Sequence, residues 1–250
     1  MDKLLEIMTR LRQECPWDSK QTHTSLKPYL LEEAYEVLEA IDSKDNEAMS
    51  KELGDLLLQI VFHSEIAAEN NHFDFNDVVQ NISTKLIDRH PHVFLDKDLH
   101  TAQDVQENWE HTKVKNERRN SILEGTPKTA PALLSAQRLQ EKAATVGFEW
   151  DTIAPVFEKV LEEFQEFKIE YEQKNFNKMR QEFGDILFAL VNLGRFLDIN
   201  AEDALRQTNN KFVKRFQYIE KQFNNDPSAM KQASLEKLDA IWEEAKNLDD

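Results

Sequence analysis

Apolar residues recur at spacings of three and four along almost the whole 250-residue chain, the period of a helix with one buried face. The pattern predicts helices nearly end to end. Its main interruption is "SILEGTPKTAPAL", residues 121 to 133, where Gly125, Pro127 and Pro131 stop helices on both sides. Similar elements stand in the same order on either side of this break. "CPWD" (15 to 18), "EEAYE" (32 to 36) and "ELGD" (52 to 55) precede it; "FEWD" (148 to 151), "EEFQE" (162 to 166) and "EFGD" (182 to 185) follow it. Glu36 to Glu52 is a step of 16 positions, and so is Glu166 to Glu182. Further on, Lys85 and Arg89 match Lys211 and Arg215, and Trp109 matches Trp242. The offset of 130 at the acids becomes 126 at the basic pairs, as expected if loops differ and helices do not. These landmarks predict an internal duplication: an all-α chain of two tandem four-helix-bundle-like domains, residues 1–120 and 134–250, joined by a linker at 121–133.

The acids raise the first question of chemistry. In "LLEEAYEVLEAI" (30 to 41), Glu33 falls at the edge of a broad apolar arc and Glu36 lies one turn along on the same side, while Glu32 and Glu39 turn towards solvent. On "ELGDLLLQIVFH" (52 to 63), Glu52, Asp55, Gln59 and His63 make one narrow polar stripe on a helix that is otherwise apolar and so is expected to be buried. The second copy repeats this with Glu163, Glu166, Glu182 and Asp185. Carboxylates facing one another on buried helices repel and desolvate unless a cation compensates them. Four oxygen donors without Cys or His suit a hard ion, Mg²⁺ or alternatively Mn²⁺. An isolated "EExxE" is also what a solvated helix face looks like; both motifs twice at one spacing is not. Gly54 and Gly184, beside the acids, suggest close approach of a neighbouring backbone.

Composition narrows the partners. The formal net charge of −16 argues against a nucleic-acid duplex or an anionic membrane. A single cysteine, Cys15, excludes an internal disulfide, and no run of 18 apolar residues occurs, so a cytoplasmic protein is expected. An anionic small substrate remains compatible, given an ion or a local basic cluster. Lys211 and Arg215, four apart on one helix face, are placed to hold a polyphosphate, though a solvated basic face has the same spacing. Trp242 offers a plane for a base to stack on, or a core residue.

The stretches "CPWDSKQTHTSLKPYLLEEAYEV", "ELGDLLLQIVFH", "DRHPHVF", "EKAATVGFEW" and "EFGDILFALVNLGR" resemble the MazG family of nucleoside triphosphate pyrophosphohydrolases over essentially the whole chain. The resemblance implies two all-α domains, a homodimer, and Mg²⁺-dependent hydrolysis of nucleoside triphosphates to the monophosphate and pyrophosphate. It implies that Glu163, Glu166, Glu182 and Asp185, and in the first copy Glu33, Glu36, Glu52 and Asp55, are metal ligands. Lys211, Arg215 and Trp242 match positions that contact nucleotide, with Lys85, Arg89 and Trp109 as first-copy candidates.

The copies differ where phosphates would bind. Lys159, Lys178, Arg180 and Asn192 of the second correspond to Tyr29, Ala48, Ser50 and Phe62 of the first. The second copy is therefore expected to be the principal active site, an ion-activated water attacking the α-phosphorus while Lys211, Arg215 and Lys178 neutralise the leaving pyrophosphate. Glu162 is a candidate for the water's proton. His90 and His92 in "RHPHVF", which has no counterpart in the second copy, are read as a turn around Pro91. The alternatives are a non-catalytic helical module that binds nucleotide and metal, for which damaged acids would be expected, and a pyrophosphatase restricted to one nucleotide. An HD-type phosphohydrolase lacks its His–Asp pair here.

Overall fold

The computed structural model describes residues 1–94 and 121–248. It separates into two compact units, Met1–Val105 and Gln106–Asp250, and the described residues are helices and turns without a strand. The first unit holds α1 (Asp2–Glu14), a short 3₁₀ turn at Asp18–Lys20, α2 (Lys27–Ser43), α3 (Asn46–Glu69), α4 (Phe75–Arg89) and the one-turn α5 (Pro91–Phe94). The second holds α6 (Ala132–Ala144), α7 (Ile153–Glu172), α8 (Phe176–Phe196), α9 (Ala201–Gln222), the short α10 (Pro227–Gln232) and α11 (Leu235–Lys246).

The duplication is visible in how helices start and stop. Each acidic pair of helices is joined by a lysine in the left-handed conformation, Lys44 (φ 56°) after α2 and Lys174 (φ 56°) after α7. The next residue caps the following helix: Asp45 accepts from the amides of Glu47 and Ala48, and Asn175 from that of Lys178. Asp74 and Asn200 cap α4 and α9 in the same way, accepting from the amides of Asp77 and Asp203. The expectation that loops alone absorb the change of offset is corrected. α3 has 24 residues and α8 has 21, so three of the four positions are lost from a helix and one from the turn after it. The shortening falls beyond the acids and leaves their register untouched.

Within the first unit Met8, Leu26, Val61, Phe62 and Ile66 form the core, with Leu4, Leu57 and Phe75 packed against it. In the second, Val156, Val160, Ile186, Val191, Ile219 and Ile241 are buried. The expectation of helices buried nearly all round is also corrected. Leu53 and Ile60 of α3 and Phe183, Leu187 and Leu190 of α8 are exposed in the chain. So is much of the apolar arc of α2, including Leu31, Tyr35 and Ile41. Periodicity marks a face as apolar, but not whether its cover comes from this chain. Nor does a backbone crowd Gly54 or Gly184: among the described residues nothing lies within 4 Å of where a Cβ would stand.

Candidate functional site

Because α2 and α3 run side by side from one tight turn, acids near their adjoining ends face each other. Glu33, Glu36 and Glu52 each bring a carboxylate oxygen within 4.8 Å of the other two, and Glu163, Glu166 and Glu182 of α7 and α8 do the same. The aspartates stand outside these triplets. Asp55 is near enough to Glu33, and Asp185 to Glu182, to raise the glutamate's pKa. Glu33 is pushed up by burial first and then by Asp55, Glu36 by burial and then Glu52, and Glu182 by burial and then Glu166 and Asp185. Such clusters hold unfavourably close negative charge, and their all-oxygen donor set fits a hard divalent cation.

The two sites part company at their cations. Lys159, one turn before Glu163, places its ammonium 2.8 Å from Glu163 and 3.0 Å from Glu162, and these partners hold its pKa above the ordinary lysine value. Glu162, tied to Lys159 and half exposed, is thereby poorly placed to act as a base. Lys178 reaches Glu170 at 3.3 Å, and Arg180 is exposed on α8. Glu170 is a fifth acid that the sequence pattern does not single out: it is 8% exposed, its Oε2 has no hydrogen-bond partner among the described residues, and its charge contributes to raising Glu182. Its spacing of four from Glu166 was the available signal. In the first unit the positions of Lys159 and Glu170 hold Tyr29, which meets Trp17 edge to face, and buried Ala40.

Beside the second acidic cluster opens an apolar cavity of about 360 Å³. It is lined by Glu163, Asp185 and Lys159 together with Phe148, Trp150, Val156 and Ala189. Gly147, left-handed at φ 82°, turns the chain out of α6 and delivers the two aromatics. Asn192 also lines it, with its Oδ1 accepting from Arg195 at 3.1 and 2.9 Å, while Arg195 pairs with Glu149 at 2.6 Å. The "FEWD" landmark thus supplies a wall as well as a repeat marker, a role its sequence does not disclose.

Arg215 and Trp242 meet at a separate place from the cavity lining, with Lys211 on the same helix as Arg215. The Arg215 guanidinium lies 5.7 Å above the Trp242 ring, Phe212 approaches the same ring with centroids 5.3 Å apart, and Lys211 is exposed one turn before Arg215. None of the three is among the described residues lining the acidic cavity. In the first unit Lys85 borders a shallow hollow with Phe73 and Ile82, and Arg89 ends α4; Trp109 lies outside the described residues. The His90 ring is within hydrogen-bond distance of the Leu86 carbonyl, closing α4 ahead of Pro91.

The MazG nucleotide pyrophosphohydrolase domain matches this chain twice, at residues 21–94 and 152–219, each span containing one acidic cluster. A Thermotoga maritima protein, "Nucleoside triphosphate pyrophosphohydrolase/pyrophosphatase MazG", is 44% identical over all of this chain and 96% of its own length. An Escherichia coli "Nucleoside triphosphate pyrophosphohydrolase" is 42% identical over 98% of this chain and 97% of its own. The crystal structure of a MazG-related protein from Thermotoga maritima aligns with a TM-score of 0.41 at 26% identity, covering 45% of this chain and 98% of that one. Twice-matched domain and near-full-length relatives agree: the chain belongs to the MazG nucleotide pyrophosphohydrolase family.

Proposed function

We propose that the chain hydrolyses nucleoside triphosphates to the monophosphate and pyrophosphate, chiefly in the second unit. The observation that carries this is that Glu163 belongs to the acidic triplet and to the cavity wall at once, and that Asp185, whose charge raises Glu182, lines the same cavity. About 360 Å³ walled by Phe148 and Trp150 suits a nucleoside, and a mostly apolar pocket with a few polar groups is the usual form of a small-molecule site. With the nucleoside there, the phosphate nearest it is the α-phosphate, so it is the α-phosphorus that meets the acids. Attack by water then forms a phosphorus–oxygen bond at that atom and breaks its bond to the oxygen bridging to the β-phosphate, and pyrophosphate leaves. The names of the full-length relatives support the same reaction.

Glu163, Glu166 and Glu182, with Asp185 beside them, would hold the divalent cation, Mg²⁺ or Mn²⁺. Such an ion supplies charge neutralisation for the phosphates and acidity for a coordinated water. Lys159, which lines the cavity, and Lys178, each already held at a carboxylate, are cations that would receive a polyphosphate. Lys211, Arg215 and Trp242 form a second nucleotide-contacting group whose place relative to the acids is supported only by the family resemblance. The exposed apolar faces of α2 and α7 support a homodimer. No described helix is long and apolar enough to cross a membrane.

The test is pyrophosphate release from ribo- and deoxynucleoside triphosphates with Mg²⁺ by the wild type, Glu36→Gln and Glu166→Gln. Loss in Glu166→Gln with retention in Glu36→Gln is expected. Inorganic phosphate without pyrophosphate would overturn the reaction, and the reverse pattern of variants would overturn the choice of unit.

A further inference from the structure

The polar stripe of α3 does not stop at its acids. Gln59 follows Asp55 by one turn and His63 follows Gln59 by another, about 6 Å of rise each time. Gln59 is only 5% exposed, and among the described residues its Oε1 has no hydrogen-bond partner; neither has the buried Nε2 of His63. Buried polar atoms in native structures are nearly always paired, so two orphans in line on one helix face point to something that pairs with them. In the second unit the corresponding face looks onto a cavity. At the offset of 130, Gln59 corresponds to Ala189 and His63 to Leu193, and Ala189 lines the apolar cavity beside Glu163 and Asp185.

We infer that the first unit is a second nucleotide site which, unlike the other, selects its base by hydrogen bonds: the α2/α3 acids take the ion and phosphates, and Gln59 and His63 take the polar edge of the base. This rests on the proposal that the paired acids of this fold hold a cation and polyphosphate. Gln59 Oε1 is an acceptor and so demands an N–H donor on the base. His63 is fixed for the task by His23, whose Nδ1 lies 2.8 Å from its own with the two rings parallel. Whichever Nδ1 carries the shared proton sets His63 Nε2 as a single donor or a single acceptor. Burial and then His23 depress the pKa of His63, which favours the neutral ring this requires. A pocket built to hydrogen-bond rejects a ligand that cannot answer, because its buried groups are left unpaired, whereas an apolar wall tolerates many bases. Loss of the phosphate-side cations and gain of base-reading groups in one unit fits a narrow site beside a broad one.

The full-length chain tests this, with Glu166→Gln reporting on the first site and Glu36→Gln on the second. For each, Mg²⁺-dependent Kd values are measured for α,β-methylene analogues of ATP, GTP, CTP and UTP, alongside pyrophosphate release from the four triphosphates. Glu166→Gln should discriminate between the best and worst base by at least about tenfold, and Glu36→Gln by much less. Adding Gln59→Ala to Glu166→Gln should flatten the preference while phosphate-dependent binding persists. Should that variant fail to fold, Ala189→Gln in the Glu36→Gln background should create a base preference in the broad site. Equal preferences at both sites, no nucleotide bound by Glu166→Gln, or a preference indifferent to both Gln59→Ala and Ala189→Gln would overturn the inference. A chain that binds the analogues selectively but releases no pyrophosphate sinks the catalytic proposal and leaves this one standing.

Discussion

The ammonium of Lys159 sits 2.8 Å from the carboxylate of Glu163, whereas the corresponding pair in the first unit, Tyr29 and Glu33, has no positive charge to share. Glu163 is 6% exposed, so the contact is shielded from solvent on the acid's side. A cation held at Glu163 would compete with Lys159, whose ammonium would then be free to meet phosphate. Lys159→Met should therefore lower kcat by about 10²-fold, the scale of losing one charge-stabilising donor, while less Mg²⁺ is needed for half-maximal activity. A Mg²⁺ titration of steady-state rate checks both signs. Unchanged Mg²⁺ demand would mean that Lys159 does not compete for the site.

The raised acids make a second prediction, about stability. Glu33, Glu36 and Glu182 bind protons more tightly in the folded chain than at their ordinary value of 4.5. Between that value and their raised ones the folded state carries the extra protons. Their contribution is thus fully present below 4.5 and lost as pH rises through the raised values. Glu69, lowered chiefly by its hydrogen bond from Arg12, acts in the opposite sense and only at lower pH. In EDTA, the melting temperature should fall as pH climbs through the carboxylate range. Mg²⁺ should raise it again, and by more as pH rises, because a divalent ion binds the ionised carboxylates. Calorimetry across that range with and without Mg²⁺ reads this directly; a curve blind to the ion would contradict a metal site.

Glu170 carries the third. It is nearly buried, leaves Oε2 unpaired among the described residues, and holds Lys178 by Oε1 at 3.3 Å, so it sets where that cation waits. Glu170→Gln keeps the shape but weakens the hold and removes one negative charge from the neighbourhood of Glu182. The ion-free protein should melt higher, and activity should drop about 10-fold, the low end of what losing a supporting partner costs. If Lys178→Met and Glu170→Gln combine no more severely than Lys178→Met alone, the acid acts through the lysine. Independent, additive losses would assign Glu170 to the ion or the substrate instead.

These residues also mark what the sequence could disclose. Acids recurring at one spacing on two helices told of convergence because a helix has a fixed turn and rise, and Glu33, Glu36 and Glu52 do meet. Glu170 went unseen because a single further glutamate on an amphipathic helix is ordinary, and only its burial distinguishes it. Phe148 and Trp150 became walls through a turn at Gly147, and loop direction leaves no periodic trace. The orphaned atoms of Gln59 and His63 are facts about neighbours, which a stripe along one helix cannot supply. Helix lengths were misjudged for the same reason: nothing local says that α3 outruns α8 by three residues.

The last prediction concerns the apolar faces left open. Leu161 on α7 is 68% exposed and Phe164, one turn on, is 50% exposed, while Leu31 on α2 is 59% exposed. Scattered apolar residues on a surface need no explanation, but these lie on the helices that carry the acids, Leu161 and Phe164 with Glu163 and Glu166, and Leu31 with Glu33 and Glu36. Covering a leucine fully is worth about 2 kcal/mol, so several such residues against a second copy would stabilise a dimer appreciably. Light scattering should give the wild type twice the single-chain mass of 29.3 kDa. Leu161→Glu puts a charge where the partner would sit and should shift the protein towards that single-chain mass at micromolar concentration. Because Leu161 is exposed in the chain itself, the variant should keep its helical circular dichroism, which separates lost association from lost folding. A wild type of single-chain mass, or a variant that stays paired, would remove the α7 face from the interface.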